Sequence, residues 1–246
     1  RRADRLARIK SLDWDGLALE RLPAVDGRSL QWSELQRDGL VAAEAAQLAQ
    51  WTEAENVPTV CRKTGSFSPH LTLSAVGCAL SHRRAWERLA RSSEHEWALI
   101  AEDDVDAVSP GITNHLCMLE RELPSRWQMC LIGFHESGGR LVQPRASAHT
   151  LEAAAGTPHT GHTGYLLRRS AAVELLADTS VFPLRAQIDV ALSRREWGSR
   201  ARFALGPDEV LITSPRSEDA GDSDVQTLGA KDVDAHAKLP EGAERL

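Results

Sequence analysis

Three consecutive carboxylates, Glu102, Asp103 and Asp104, have the clearest chemical potential in this sequence. They directly follow an apolar run over 97–101, which predicts a β-strand that ends in acidic side chains. Carboxylates held this close repel one another, which raises the pKa of one of them or recruits a cation. Mg²⁺ and Mn²⁺ favour such oxygen ligands, and both also bind diphosphates. A metal site is one interpretation of the triplet, and a solvated acidic turn before the next helix is the other.

A helix predicted over 76–91 leads into that strand and carries one histidine on its apolar side. The stripe consists of Ala79, His82, Trp86 and Leu89. His82 is either a buried, hydrogen-bonded histidine or a residue of the site. Gly77 lies in the first turn of this predicted helix, where glycine costs about 1 kcal/mol relative to alanine. Such a glycine indicates close packing or the approach of a ligand.

Strands alternate with helices along the rest of the chain, which favours an α/β fold with a mainly parallel sheet. In open α/β sheets, ligands bind at the carboxyl ends of the strands, where the triplet is predicted to lie. Ser33 and Ser170 are predicted to cap the helices that follow them. The predicted strands are 18–22, 97–101, 129–134 and 165–167, and the predicted helices are 1–10, 33–50, 76–91, 111–123 and 171–177.

The composition is that of an ordinary globular protein, with 42% hydrophobic and 26% charged residues among 246. The net charge of −6 argues against a general nucleic-acid binder. The longest apolar runs fall far short of the ~20 residues of a membrane span. The four cysteines form no C-x-x-C pair, so a thiolate zinc site is not expected. One domain is predicted over 1–228, followed by a polar, disordered tail over 229–246.

Several segments, in order and with consistent spacing, carry a resemblance. They are Pro23-Ala24-Val25-Asp26-Gly27, then 76–82 (Val-Gly-Cys-Ala-Leu-Ser-His), 98–105 (Ala-Leu-Ile-Ala-Glu-Asp-Asp-Val), 164–172 and Ser223-Asp224-Val225-Gln226. Together they resemble blocks of glycosyltransferase family 25, which includes bacterial lipooligosaccharide galactosyltransferases and collagen hydroxylysine galactosyltransferases. Asp189 falls where that family carries a Pro-Val-Asp element. The sequence departs from the family at Ser74-Ala75, where relatives have Gly-Glu, and at Gln187-Ile188, where they have Pro-Val.

The resemblance implies a metal-dependent, inverting transferase of the GT-A-type, Rossmann-like nucleotide-sugar fold. Glu102 and Asp104 would hold Mn²⁺ or Mg²⁺ on the diphosphate of a UDP-sugar, with galactose favoured. Asp103 would bond the ribose or support the loop. The other residues expected to bind the donor are Arg1, Arg2, Arg5, Gly77 and Ser81. Exposed arginines on a surface helix are the alternative interpretation of the three arginines.

Two residues are candidates for the chemical step, Asp189 and His82. Asp189 is the preferred base for the acceptor hydroxyl, and the alternative is that it caps the helix that follows it. His159 or His162, in a glycine-rich loop, could supply a third metal ligand, and His135 is a further candidate site residue.

The wider expectations come from the family alone. Relatives begin with a hydrophobic strand before the double arginine, so the first strand of the sheet is expected upstream of Arg1. The acceptor could be a glycan, a lipid-linked sugar or hydroxylysine. The compartment would be the cytoplasm in a bacterium, or the endoplasmic reticulum or Golgi in a eukaryote. An inactive glycan- or partner-binding relative and a sugar nucleotidyltransferase are the alternative functions.

Overall fold

Helices and strands alternate along the part of the chain that the computed structural model describes, which is residues 3–59, 68, 70–137, 147–153, 159–195 and 201–215. The helices are α1 (Ala3–Ser11), α2 (Trp32–Arg37), α3 (Ala43–Ala54), α4 (Leu73–Ala90), α5 (Ile112–Glu122), α6 (Arg169–Ala177) and α7 (Ile188–Arg194). The strands are β1 (Trp97–Ala101), β2 (Ala107–Val108), β3 (Met129–Gly133), β4 (Glu136–Ser137), β5 (Thr150–Glu152), β6 (His159–Thr160), β7 (Gly164–Arg168), β8 (Arg202–Leu205) and β9 (Ile212–Thr213). None of the described helices is long and apolar enough to span a bilayer.

The chain divides into two compact units. The first comprises Arg1–Arg21, Ala85–Leu175 and Ser193–Pro215, and it holds all the described strands. The second comprises Leu22–Arg84, Leu176–Leu192 and Arg216–Leu246, and it holds α2, α3 and most of α4. The single domain over 1–228 stays a prediction, and the tail over 229–246 lies outside the described residues.

Five strands form the main sheet in the order β1-β7-β3-β8-β5. β1 and β3 run in the same direction and are joined through α5, but β7 inserts between them and runs antiparallel to both. Of the four described pairings, β3 with β8 is the parallel one. The α/β class is therefore confirmed, and the mainly parallel sheet is wrong. Between β3 and β7 the described elements are the short strands β4, β5 and β6, of which β4 and β6 pair antiparallel with each other. The described part of this stretch holds no helix of the kind that joins parallel neighbours.

The central predicted elements, β1, α5, β3 and β7, lie within a few residues of their predicted bounds. The strand predicted over 18–22 is wrong, because these residues form neither helix nor strand. The helix predicted over 33–50 is two helices, α2 and α3. Gly39, with φ +66°, lies between them in the left-handed conformation that commonly ends a helix.

The two predicted serine caps are also wrong. The N-cap residue of α2 is Gln31, which makes no capping hydrogen bond through its side chain, and Ser33 lies inside the helix. α6 begins at Arg169, directly after β7, so Ser170 is also inside its helix. In both cases the helix begins before the serine, and the hydroxyl therefore has no cap position to occupy.

An apolar core between α5 and one face of the sheet fixes the end of β1. Its members are Trp14, Val105, Ile112, Leu116, Leu119, Leu123, Trp127, Cys130, Ile132, Leu166, Phe203, Leu205, Leu211 and Ile212. Val105 is fully buried and directly follows the acidic triplet, so it anchors the turn in which the carboxylates lie. Burying such a side chain contributes about 1.5–3 kcal/mol.

Trp86 of α4 donates from Nε1 to the hydroxyl of Tyr165 in β7 at 2.8 Å.

In the second unit, close backbone contact joins the start of α4 to the segment that ends at Gly27. A Cβ on Gly77 would lie 2.8 Å from the carbonyl oxygen of Val25, and one on Gly27 would lie 2.5 Å from that of Leu73. Ser81 strengthens the contact, since its Oγ accepts from the N–H of Val25 at 2.9 Å and donates to Gly77 O at 2.7 Å. Close packing, one of the two explanations offered for Gly77, is therefore confirmed.

Replacing Gly77 with alanine is expected to destabilise the protein, although alanine is the better helix former by about 1 kcal/mol. The new methyl group would meet backbone atoms of Val25 and Gly27, which cannot rotate away. Overpacking of this kind costs about 1–3 kcal/mol. Thermal unfolding of Gly77→Ala should therefore occur several degrees below wild type, at about 2–4 °C per kcal/mol.

Gly206→Ala is the matched control for this substitution. A methyl group at Gly206 would meet only the flexible end of the Glu209 side chain, at 3.0 Å. We expect it to leave the melting temperature close to that of wild type. A Gly77→Ala protein as stable as Gly206→Ala would contradict the packing explanation.

Candidate active site

The acidic triplet lies in the turn after β1, at the edge of the sheet where β1 and β3 end and β7 begins. Ala101, the last residue of β1, pairs with Gly164, which also pairs with Gly133 at the end of β3. One residue further on, the backbone N–H of Glu102 donates to the carbonyl oxygen of Thr163 at 3.0 Å. The carboxylates therefore lie at a strand end, as predicted, although the neighbouring strand is antiparallel.

Alternate members of the triplet face in different directions. Burial continues to alternate beyond Ala101, where the strand ends. Asp103 is exposed, whereas Glu102 and Asp104 are half-buried. Oδ1 of Asp104 is itself buried and makes no hydrogen bond within the described part of the chain. The solvated-turn interpretation thus suits Asp103 and does not suit Asp104.

The pKa of Asp104 is raised from its ordinary 3.8 to about 7. Burial is the largest cause, and the negative charge of Glu102 is the second. Asp103 raises the pKa a little further, and the charge of Arg5 opposes these effects without cancelling them. The folded protein therefore retains a proton here near neutral pH, or it takes a cation in the proton's place.

Two arginines of α1 hold the turn from the side. Nη1 of Arg5 donates to Oδ1 of Asp103 at 2.8 Å, and Nη2 of Arg8 lies 3.4 Å from the backbone oxygen of Asp104. The Arg5 side chain is 11% exposed, so it is not the exposed surface arginine of the alternative interpretation. The ion pair also gives Asp103 the loop-supporting contact that was one of its two predicted roles. Arg1 and Arg2 lie outside the described residues.

The local chemistry fits a divalent cation. Mn²⁺ and Mg²⁺ prefer carboxylate oxygens, and Asp104 offers a buried oxygen that makes no hydrogen bond within the described residues. Glu102 adds a second carboxylate, whose charge a cation would neutralise. Binding there would replace repulsion between two acids with attraction to a common ion. Together, Glu102 and Asp104 could therefore hold the predicted metal.

The remaining donor-binding candidates, Gly77 and Ser81, have the packing contacts described above. A donor-binding role for them stays a prediction. His82 is 7% exposed and lies on a buried stripe with Ala79, Trp86 and Leu89, as predicted. Its burial favours the core interpretation, and its catalytic role stays a prediction too.

Asp189, in the second unit, lies in the first turn of α7 rather than before the helix. Its Oδ1 accepts from the backbone N–H of Val190 at 2.7 Å. A carboxylate in the first turn also interacts favourably with the helix dipole. These contacts agree in part with the capping alternative, and the base role stays a prediction.

His159 and His162 are both buried in the first unit. The ring of His159 packs edge-on against Phe134 at 5.1 Å between centroids, and that of His162 against Tyr165 at 6.4 Å. Each histidine thus has an aromatic neighbour, and their role as a third metal ligand stays a prediction.

Two polar residues near the triplet escaped the sequence analysis, Thr163 and Ser214. They join His135, which the sequence did single out, in a hydrogen-bonded cluster. Ser214 follows Thr163 by 51 residues, and neither lies in a motif. No local signal in the sequence could have found the cluster, because β9 brings Ser214 to this edge through tertiary packing.

Comparison with known families gives one match. The family model described as glycosyltransferase family 25 (LPS biosynthesis protein) matches residues 1–136, which is more than half of the chain. The matched range includes α4 and the triplet, whereas Asp189 and the resembling segments 164–172 and 223–226 lie beyond it. No curated protein matches the sequence significantly.

The raised pKa of Asp104 predicts the pH dependence of stability in protein freed of metal. Between about pH 4 and pH 7 the folded state keeps a proton that the unfolded state has lost, so stability falls as the pH rises. The slope is at most about 1.4 kcal/mol per pH unit. Asp104→Asn mimics the protonated side chain. In urea unfolding, the free energy of unfolding of the variant should therefore increase relative to that of wild type from pH 5 to pH 8.

Asp106→Asn serves as the control for this series. Asp106 is exposed, lies two residues further on, and accepts a hydrogen bond from Thr213 at 2.7 Å, which asparagine can also accept. Its stability profile should run parallel to that of wild type. If Asp104→Asn also runs parallel to wild type, Asp104 is not the group that holds the proton.

Proposed function

Because the chain belongs to glycosyltransferase family 25, and is therefore a glycosyltransferase, we propose that it transfers a hexose from a UDP-sugar to a hydroxyl group with inversion at the anomeric carbon. Galactose is the favoured sugar. The buried carboxylate oxygen of Asp104, beside Glu102 at the end of β1, is the observation that carries the proposal. Such a site attracts a divalent cation, which could also bind the diphosphate of a nucleotide-sugar.

Glu102 and Asp104 would hold the cation, Mn²⁺ or Mg²⁺. When bound, it would act as a Lewis acid that stabilises the negative charge on the departing UDP. The protein's part is to keep both carboxylates in place, which Val105 does from the core and Arg8 does through the backbone oxygen of Asp104. Asp104 must also lose its proton before it can act as a ligand.

The arginines of the N-terminal segment would serve the donor's negative charge. Arg5 keeps the turn in place through Asp103, and its charge also favours anions near the triplet. Arg1 and Arg2 are proposed to contact the diphosphate or uridine, since the guanidinium fork matches phosphate geometry.

The acceptor is a glycan in general, as membership of the family implies. The family's description as an LPS biosynthesis protein favours a saccharide hydroxyl over hydroxylysine, and a lipid-linked sugar remains in the same chemical class. Asp189 is the base that the resemblance proposes for this hydroxyl. Its position in the first turn of α7 leaves the carboxylate half-buried.

The proposal predicts that Asp104→Asn loses turnover and metal response together. UDP release from UDP-galactose, with Mn²⁺ present, should fall by about a hundredfold or more, because a lost Lewis acid costs several kcal/mol of transition-state stabilisation. The rise in melting temperature caused by UDP with Mn²⁺ should shrink as well, since a ligand that binds only the folded state stabilises it. Both are measured on the same preparations.

Asp106→Asn should retain turnover and thermal shift, which separates loss of the site from a general loss of charge. GDP and AMP in place of UDP should give smaller thermal shifts, and equal shifts would contradict the uridine assignment. No UDP release from any UDP-sugar, with or without a saccharide acceptor, would favour an inactive, glycan-binding relative. Turnover of a nucleoside triphosphate with a sugar phosphate would identify a nucleotidyltransferase.

A further inference from the structure

A short chain of hydrogen bonds joins three polar side chains beside the acidic triplet. Nε2 of His135 lies 2.8 Å from Oγ of Ser214, and that oxygen lies 2.8 Å from Oγ1 of Thr163. Thr163 is the residue whose carbonyl oxygen accepts the N–H of Glu102. All four residues belong to the first unit. One member of the cluster, Thr163, is therefore hydrogen-bonded through its backbone to Glu102, a predicted metal ligand.

Close backbone packing brings these residues together from three parts of the chain. Gly161 has φ +63°, and a Cβ there would lie 2.7 Å from the ring of His135, so this turn rests directly on the imidazole. On the other side, the carbonyl oxygen of Ile212 would lie 2.6 Å from a Cβ on Gly133. This contact packs β9 against the end of β3, so that Ser214, which directly follows β9, lies next to His135.

The hydrogen bonds of this cluster can run in either direction. With Nε2 unprotonated, Thr163 donates to Ser214 and Ser214 donates to His135. With Nε2 protonated, the ring donates to Oγ of Ser214 and to its backbone oxygen at 3.2 Å. The two hydroxyls then turn, and Thr163 donates to the carbonyl oxygen of Gly161 at 3.3 Å. Either protonation state leaves these groups hydrogen-bonded.

Neutral groups form the described contacts of the His135 ring, namely Gly161 and Ser214. Among the described residues, two carboxylates are linked to the cluster through a neighbour: the backbone N–H of Glu102 donates to Thr163, and Asp106 accepts from Thr213, which precedes Ser214. His159, a further titratable group, faces Phe134. His135 and Ser214 are half-buried, so both residues keep part of their surface exposed.

We propose that Ser214 and His135, rather than Asp189, form the relay that takes the proton from the attacking hydroxyl, an inference that rests on the proposed function. The acceptor hydroxyl donates to Oγ of Ser214 while the proton of Ser214 passes to Nε2 of His135. The acceptor oxygen forms its bond to the anomeric carbon as the bond to the diphosphate breaks, and UDP leaves with that electron pair. The imidazolium then returns its proton to water. Histidine suits this task because it changes charge between pH 5 and pH 8.

The test uses UDP-galactose with saturating Mn²⁺ and water as the acceptor, and it follows UDP release between pH 5 and pH 8. Saturating metal keeps protonation of Asp104 from limiting the rate. In wild type, kcat should rise across this range. In His135→Gln it should be lower by about a hundredfold or more and largely independent of pH, since a general base contributes at least this much. KM for UDP-galactose should stay within about threefold, because the base acts on the nucleophile and not on the donor.

Variants of Ser214 separate the relay from a structural contact. Ser214→Ala removes the hydroxyl and should lose turnover as His135→Gln does, whereas Ser214→Thr retains a hydroxyl and should recover most of it. His149→Gln is the matched control, since His149 is a half-buried histidine outside the cluster that pairs with Glu209 at 3.6 Å. If His135→Gln does not fold, the comparison of alanine with threonine at Ser214 decides.

Three results would overturn the relay. The first is full turnover in His135→Gln, and the second is an equal loss of turnover in Ser214→Ala and Ser214→Thr. The third is a pH-dependent rise of kcat that persists in His135→Gln but is lost in Asp189→Asn. The thermal shift by UDP and Mn²⁺ should persist in His135→Gln, because the proposed relay acts on the acceptor hydroxyl and not on UDP or the metal. Absence of turnover and shift in wild type would instead refute the proposed function, and the relay with it.

Discussion

The candidate site depends on one carboxylate, that of Asp104, which the fold holds in surroundings that disfavour its negative charge. Asp104 is held beside Glu102 with one oxygen buried, so its ionisation is opposed by lost hydration and by like charge. The apolar side chain of Val105 and the arginines of α1 keep it there. A bound cation would offset this repulsion, and it could in turn bind a diphosphate. The proposed donor site follows from this single constraint.

The sheet edge assembles around that turn because β7 runs antiparallel between β1 and β3. This arrangement brings the start of one strand to the ends of two others, and with it the loop that carries Thr163. Glycines at Gly133 and Gly164 let β9 approach closely, which adds Ser214 to the same edge. The proposed metal-binding turn and the proposed proton relay thus come from segments far apart in the sequence.

Sequence reasoning found the elements whose signals are local. An apolar run ending in acids predicted β1 and its triplet, and the stripe around His82 predicted the buried face of α4. It failed where tertiary context decides: the direction of β7, the break at Gly39, and the helix starts that precede Ser33 and Ser170. Strand alternation separates Asp103 from Glu102 and Asp104, but it does not say which of the two sides is buried. The meeting of His135 with Ser214 could not be predicted either, because no spacing encodes it.

The proton on Asp104 offers the most direct test of the central claim. With a pKa of about 7, the carboxyl is about half protonated at pH 7, so binding of Mn²⁺ should release about half a proton. Isothermal titration calorimetry in buffers of different ionisation enthalpy measures this number. We expect release of about half a proton at pH 7 and almost none at pH 8.5. Equal release at the two pH values, or Mn²⁺ binding that is the same in Asp104→Asn, would contradict it.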